Sequence, residues 1–178
     1  RHFRLTEPHI AAYEPIHWMA RLSSHEASPP NCLHWGFRTT LHEAHQDRAN
    51  ASLPLHLLID LAGYTLERFQ AKRRFHIRKS QRLARFEVLD DPVLLHEQGY
   101  EVYRSARHRI GPSALSRAAY HERLVDPTVG PKGRHTHAGV VNGRLAAYLT
   151  AFAVTKTAYI ENLYLASEYM STSIGSGL

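Results

Sequence analysis

The side chain best suited to accept a proton is Glu161, within the run Thr157–Leu165, whose composition is typical of a β-strand. Because side chains alternate between the faces of a strand, Glu161 is expected on the same face as Tyr159, Leu163 and Leu165. A carboxylate in such an apolar row is desolvated, which raises the pKa of a carboxyl group towards the range of a general base. The pattern therefore makes Glu161 a candidate catalytic base.

A second interpretation of the same strand is equally compatible with the alternation. If Ile160 and Tyr164 define the buried face, Glu161 points to water and is an ordinary solvated carboxylate. Alternation alone does not distinguish the two interpretations.

A glycine-rich turn, Thr172-Ser173-Ile174-Gly175-Ser176-Gly177, follows this strand. Glycines let the backbone approach a phosphate closely, and the N–H groups at a helix N-terminus supply hydrogen-bond donors and partial positive charge. The turn is thus a candidate phosphate site. The alternatives are a flexible tail and an ordinary turn between a strand and a helix.

The chain has a formal net charge of +6 and a pI near 9.7, and much of the positive charge lies in one segment. Such a surface favours polyanions, so the segment is either a solvated helix face or a binding surface for an anionic acceptor or coenzyme phosphates. Few aromatic residues interleave the charges, which argues against a platform for stacking bases. The basic residues are Arg68, Lys72, Arg73, Arg74, Arg78, Lys79, Arg82 and Arg85.

Two other candidates for chemistry are weak. His42 and His45 could share one face of a helix, but no matching second pair of metal ligands accompanies them, so no metal site is predicted. Cys32 lies in a Pro-rich stretch with no nucleophile motif around it, so no catalytic thiol is predicted.

The elements that would position these residues follow from periodicity, turn residues and capping residues. Residues 1–53 carry proline-interrupted patterns without defined elements. Asn142-Gly143 is a strong hairpin signal, and it joins two of three antiparallel strands. Thr65 and Ser113 are the predicted N-caps of the first and third helices. The predicted elements are strands at 55–61, 86–89, 136–141, 144–153 and 157–165, and helices at 66–84, 93–109 and 114–125.

From Phe86 onward the predicted order is strand, helix, helix, three antiparallel strands and glycine turn. This order is similar to the opening of the GNAT superfamily of acyl-CoA-dependent N-acyltransferases, where the turn after the fourth strand holds the coenzyme A pyrophosphate. Gly175 and Gly177 match the family's pattern, whereas Thr172 stands where Gln or Arg is usual. The resemblance implies an α/β fold, with a GNAT-like mixed sheet, an antiparallel β-meander and flanking helices, truncated at the cofactor-binding turn.

The resemblance also implies a reaction and its site. Acetyl-CoA or another acyl-CoA would be the co-substrate, without a metal, and the acceptor would be an amine on a small molecule or peptide. Glu161 would be the base, since some members carry a glutamate on this strand. The backbone would bind the pantetheine through Leu163 and Leu165, and the pyrophosphate through Thr172, Ile174, Gly175, Ser176 and Gly177.

A second resemblance covers Phe69–Val88, which is similar to the segment preceding the acyltransferase domain in FemAB-like members of the superfamily. Fem-type enzymes use aminoacyl-tRNA as the donor, so tRNA binding through Arg68–Arg85 is an alternative, as is a non-catalytic basic binding module. The implied domains are the remainder of a preceding N-terminal unit at 1–53, a strand with a basic connecting helix at 54–85, and an incomplete GNAT-like acyltransferase domain at 86–178.

Composition and the two ends of the chain bear on its cellular compartment and on whether the domain is whole. A single cysteine and the lack of a signal peptide or long apolar segment predict a soluble, cytoplasmic protein. The FemAB-like resemblance implies a bacterial type. Both ends look like cuts, and a GNAT domain needs a fifth strand and often a tyrosine beyond its glycine turn. We therefore expect a fragment that is inactive by itself.

Overall fold

A computed structural model describes residues 3–7, 12–15, 21–29, 35–52, 58–59, 61–111, 114–125, 134–154 and 157–178. The chain divides into two compact units, Arg1–Ile59 and Asp60–Leu178. No described helix is long and apolar enough to cross a membrane.

The first unit contains a small sheet for which the sequence predicted no elements. Strand β1 (Phe3–Glu7) pairs antiparallel with β2 (Ala12–Pro15), and β2 pairs parallel with β3 (Gly36–Phe37). A 3₁₀ helix spans Glu43–Arg48. β3 has only two residues, and Pro8 and Pro15 interrupt the pattern around β1 and β2, so alternation did not predict this sheet.

The strand predicted at 55–61 lies largely outside the described residues, because 55–57 and 60 are not described. At its end the prediction is wrong, since Leu61–Gly63 forms a 3₁₀ turn.

Four strands form the sheet of the second unit: β4 (Arg85–Leu89), β5 (Arg134–Val141), β6 (Arg144–Val154) and β7 (Thr157–Leu165). They are antiparallel and neighbour one another in chain order, which confirms the predicted meander. Asn142 and Gly143 both have positive φ, at 49° and 78°, as a two-residue hairpin turn between twisted strands requires.

The first helix, α1 (Ala71–Leu83), begins five residues later than predicted. The capping side chain of Thr65 makes no cap hydrogen bond, and only a 3₁₀ turn, Leu66–Arg68, follows it. Phe69 is extended at φ −82° and ψ 150°, so the chain bends there before α1 starts.

The second helix is a π-helical turn at Leu95–Gly99 followed by α2 (Tyr100–Ile110), and it ends at Gly111, whose φ is 111°. The third, α3 (Arg117–Tyr120), continues into a π-helical turn at His121–Val125. Its N-cap is Ser116, whose hydroxyl accepts from the N–H of Ala119, so the helix starts later than predicted. The predicted cap, Ser113, lies outside the described residues.

Helices cover both faces of this sheet, which gives the unit a mixed α/β architecture. On one face α2 and α3 bury an aromatic-rich cluster that includes Val102, Tyr103, Tyr120 and Tyr148. On the other face a smaller cluster forms against α1 and the C-terminal turn, where Ala84, Ala146, Ala147 and Ile174 are buried. Farther along that second face Val88, Ile160 and Leu163 remain exposed.

Candidate functional site

A β-bulge in β7 sets the direction of the Glu161 side chain. Thr150 of β6 pairs with Asn162, but the next residue, Ala151, pairs with Ile160, so Glu161 is the extra residue. A bulge locally breaks the alternation of side chains and can re-aim one of them. Glu161 therefore bonds to Thr150 on the face covered by α2, whereas Leu163 and Leu165 point to the opposite face.

The carboxylate of Glu161 is buried and paired with a guanidinium. Nη2 of Arg134 lies 3.1 Å from Oε2 and 3.2 Å from Oε1, and the hydroxyl of Thr150 lies 3.5 Å from Oε2. The exposed fraction is 6% for the Glu161 side chain and 11% for that of Arg134. The expected desolvation of Glu161 is thus confirmed and the solvated alternative is wrong, whereas the expected apolar row is wrong because the carboxylate is paired with Arg134.

Further polar side chains continue from this pair along the same face. The amide of Asn162 donates to the hydroxyl of Thr150 at 3.4 Å, and the hydroxyl of Tyr164 donates to the carbonyl oxygen of the Asn162 side chain at 3.2 Å. Burial, followed by the influence of Tyr103, raises the pKa of Tyr164 to about 12. At neutral pH Tyr164 therefore remains a hydrogen-bond donor.

The outer edge of β7 is the second component of the site. β7 is the last strand of the sheet, and no described strand pairs with its outer edge. The N–H of Ala166 donates inward to the carbonyl oxygen of Ala146. Because backbone groups alternate in direction along an antiparallel strand, those of Leu163 and Leu165 face outward. Accordingly, the carbonyl oxygen of Leu165 accepts from Nη1 of Arg109 at 3.0 Å.

The predicted glycine turn follows β7 after a 3₁₀ helix at Ser167–Thr172. Ser173 adopts the left-handed conformation with φ 68°, and Ile174–Ser176 forms a short 3₁₀ turn. The side chain of Ile174 is 1% exposed and belongs to the core, so only its backbone can serve a ligand. The hydroxyl of Thr172 donates to the carbonyl oxygen of Tyr169.

Packing gives an independent reason for one of the two glycines. A Cβ atom on Gly177 would lie 2.5 Å from the hydroxyl oxygen of Ser80 and 2.6 Å from Cε2 of Phe86, which is too close for real atoms. At Gly175 it would meet only the Leu165 side chain, at an ordinary 3.4 Å. Gly175 is therefore the glycine whose presence packing does not require.

Helix α1 lies beside this turn and carries many positive charges. Nδ1 of His76 lies 2.8 Å from the hydroxyl oxygen of Ser173. The helix contains six Lys or Arg residues and no acidic residue. One of them, Arg74, donates to the carbonyl oxygens of Glu67 and Phe69. The others are Lys72, Arg73, Arg78, Lys79 and Arg82.

A groove of about 850 Å³ lies between α2 and residues 166–168, but it does not favour anions. Its arginines are matched in number by its glutamates, three against three, so the groove has no net charge from these side chains. Among the described helices of this unit, α1 carries six Lys or Arg residues and no acidic residue. The charged groove residues counted are Arg104, Arg109, Arg144, Glu97, Glu101 and Glu168.

The sequence missed Arg134, Arg109 and His76 as members of the site. Arg134 is the first residue of its strand and reaches Glu161 from two strands away, a contact that local periodicity cannot reveal. For His76 a signal existed, because it lies within the basic segment that the sequence singled out.

The two weak candidates from the sequence add nothing to this site. Nδ1 of His42 accepts from the N–H of Ala44 at 3.2 Å, at the start of a 3₁₀ helix. Cys32 lies outside the described residues. Across the described residues no group of three or more His, Cys, Asp or Glu could hold a metal ion.

No protein-family model matches the chain, and no curated protein matches it. Two solved structures are similar, both of an aminoglycoside acetyltransferase, meta-AAC0020, from an uncultured soil metagenomic sample, in complex with sisomicin and with trehalose. The identities are 13% and 14% and the TM-scores 0.38 and 0.37, over 53% of this chain. The chain spans 64% and 63% of those acetyltransferases, less than two thirds of their length. Likeness at this level carries no argument about residues or substrates, and it gives the FemAB-like branch no support.

Proposed function

We propose that this chain carries the acyl-donor site of an acyl-CoA-dependent N-acyltransferase. The observation that carries the proposal is the contact between His76 and Ser173, which brings the basic helix α1 against the glycine turn at the end of an edge strand. The N–H groups of Ser176 and Gly177 already donate to the carbonyl oxygens of Ser173 and Ile174, so the pyrophosphate would depend on the other backbone groups of the turn and on the positive charge of α1.

The acyl donor would extend from the turn along β7. Its pyrophosphate would lie over the backbone of residues 173–177, with the cations of α1 beside it. Its pantetheine amides would bond to the outward backbone groups of Leu163 and Leu165, which the free strand edge leaves accessible. Since Arg109 already donates to the carbonyl oxygen of Leu165, the N–H of Leu165 and both groups of Leu163 are the partners offered.

Glu161 would then act at the far end of the donor. Because it lies two residues before Leu163, we expect the thioester beside it if the pyrophosphate occupies the turn. When an amine attacks the thioester carbonyl, the C–N bond forms and the C–S bond breaks, and the carboxylate takes the proton that the amine releases. Arg134 offsets the charge of this carboxylate in the absence of substrate.

Calorimetric titration of acetyl-CoA into the protein tests the donor site. Gly175→Glu should abolish micromolar binding, since it places a carboxylate where phosphate is proposed at a position that tolerates a side chain. Ala118→Glu, which adds the same charge at an exposed position of α3, should bind as the parent does. Failure of the folded parent to bind acetyl-CoA would remove the acyl-CoA proposal.

A second candidate function is supported by α1 alone. Its cations would also suit the phosphate backbone of a transfer RNA that delivers an aminoacyl group. Affinity for tRNA that falls steeply with salt, together with indifference to acetyl-CoA, would favour this function. A protein that binds neither would be better explained as a non-catalytic basic module.

A further inference from the structure

Two imidazole rings, those of His96 and His121, lie against each other at the surface of the second unit. Their planes differ by 14°, their centroids are 4.9 Å apart, and their Nδ1 atoms are 3.1 Å apart. His96 belongs to the π-helical turn before α2, and His121 directly follows α3. The pair therefore joins two helices, and the proposed transferase site does not use it.

The distance between the two nitrogens suits ligands of one metal ion. Imidazole nitrogens about 2.0–2.1 Å from a shared ion are separated by about 2.9 Å at a right angle and about 3.4 Å at the tetrahedral angle. The observed 3.1 Å falls between these limits. Neutral imidazole is a good ligand for Cu²⁺, Ni²⁺ and Zn²⁺, whereas Ca²⁺ and Mg²⁺ prefer oxygen.

The cation that most influences His121 is Arg117, and its charge is largely offset by its own contacts. Desolvation, followed by the proximity of His96 and Arg117, lowers the pKa of His121. The charge of Arg117 is itself compensated, because its Nη2 lies 2.6 Å from Oε1 of Glu101. Its guanidinium also lies over the ring of Tyr100, 4.5 Å from the centroid.

We propose that His96 and His121 bind one divalent transition-metal ion through their Nδ1 atoms, and that the ring whose Nδ1 carried the proton of this contact changes to its Nε2–H tautomer. Water would complete the coordination, because the described residues contain no group of three or more His, Cys, Asp or Glu side chains that could hold a metal ion. With two protein ligands we expect micromolar affinity. The ion would clamp α2 to α3 beside Tyr120, which is fully buried.

Titration of the untagged full chain with Cu²⁺ near neutral pH, followed by calorimetry and electron paramagnetic resonance, tests this proposal. The strongest site should show two equatorial nitrogens. His96→Gln and His121→Gln should each weaken it about ten-fold or more. His108→Gln removes an exposed histidine from α2 and should leave it unchanged. This control matters because the chain has 14 histidines.

Two results would overturn the proposal. One is a strongest Cu²⁺ site that survives in either His96→Gln or His121→Gln while both variants remain folded by circular dichroism. The other is a parent protein that binds Cu²⁺ no more tightly than these variants do. Either result would leave the imidazole pair as a hydrogen-bonded contact between two helices.

Discussion

At the scale of single residues, the ion pair of Glu161 and Arg134 shows what the sequence could and could not predict. Composition and position marked Glu161 as the carboxylate of interest, and it is buried. Its partner comes from two strands away, and the bulge that aims it there leaves no mark on the alternation of residue types. Local patterns report on neighbours along the chain, whereas this environment depends on register.

The catalytic assignment of Glu161 predicts a change in rate rather than in donor affinity. Glu161→Gln keeps the shape of the side chain but removes the basic oxygen, so kcat should fall about 100-fold or more. The affinity for acetyl-CoA, measured by calorimetry, should hardly change. A variant with the parent's rate and pH–rate profile would exclude Glu161 from the mechanism.

The same pair predicts a large effect on stability. Arg134→Met leaves a buried carboxylate without its guanidinium and should lower the free energy of unfolding in urea by about 3–5 kcal/mol. The double variant Arg134→Met/Glu161→Gln should recover part of this loss. As a matched control, Arg85→Gln removes a pair whose arginine is 72% exposed, and it should cost less than about 1 kcal/mol.

His121 predicts how stability depends on pH. Because folding lowers its pKa, the unfolded chain takes up the proton first as the pH falls, and the free energy of unfolding decreases below the ordinary pKa of histidine, about 6.5. Urea denaturation at neutral and mildly acidic pH should show a smaller decrease in His121→Gln than in the parent. An equal decrease in the two proteins would contradict the assignment, and His108→Gln provides the control.

At the scale of elements, the meander was predictable because Asn142-Gly143 and the alternation along three strands are local signals. Helix starts were predicted less well. Thr65 and Ser113 have the chemistry of N-caps, but the two helices begin after Gln70 and after Ser116. In the first unit β3 has only two residues, and prolines interrupt the pattern around β1 and β2.

The glycine turn gives a prediction at this scale. Gly177→Ala should destabilise the fold by about 1–3 kcal/mol, because the added methyl group must displace the ring of Phe86 and the hydroxyl of Ser80. Gly175→Ala should cost less than about 1 kcal/mol, since its contact with Leu165 is ordinary. Thermal unfolding of both variants tests this difference. Equal decreases in the melting temperature of the two variants would contradict it.

At the scale of the whole molecule, the net charge of +6 indicated an anionic partner, and the structure concentrates positive charge on α1 beside the glycine turn. Composition could predict the sign of the partner's charge but not where on the surface the charge would gather. The position of α1 beside residues 173–177 depends on how the helix packs, and the net charge of the chain carries no information about packing. If acetyl-CoA binds there, its affinity should decrease as salt is raised, because screening weakens attraction between exposed charges.

The bulge in β7 also affects how two copies of this protein can meet. An unpaired strand edge is a template on which another strand can add, and natural sheets restrain such growth with bulges and inward-pointing charges. β7 has both restraints at one position, because Glu161 is the extra residue and its carboxylate points inward to Arg134 and Thr150. A foreign strand added to β7 would lose its register halfway along. The irregularity that aims Glu161 thus also protects the sheet against edge-to-edge aggregation.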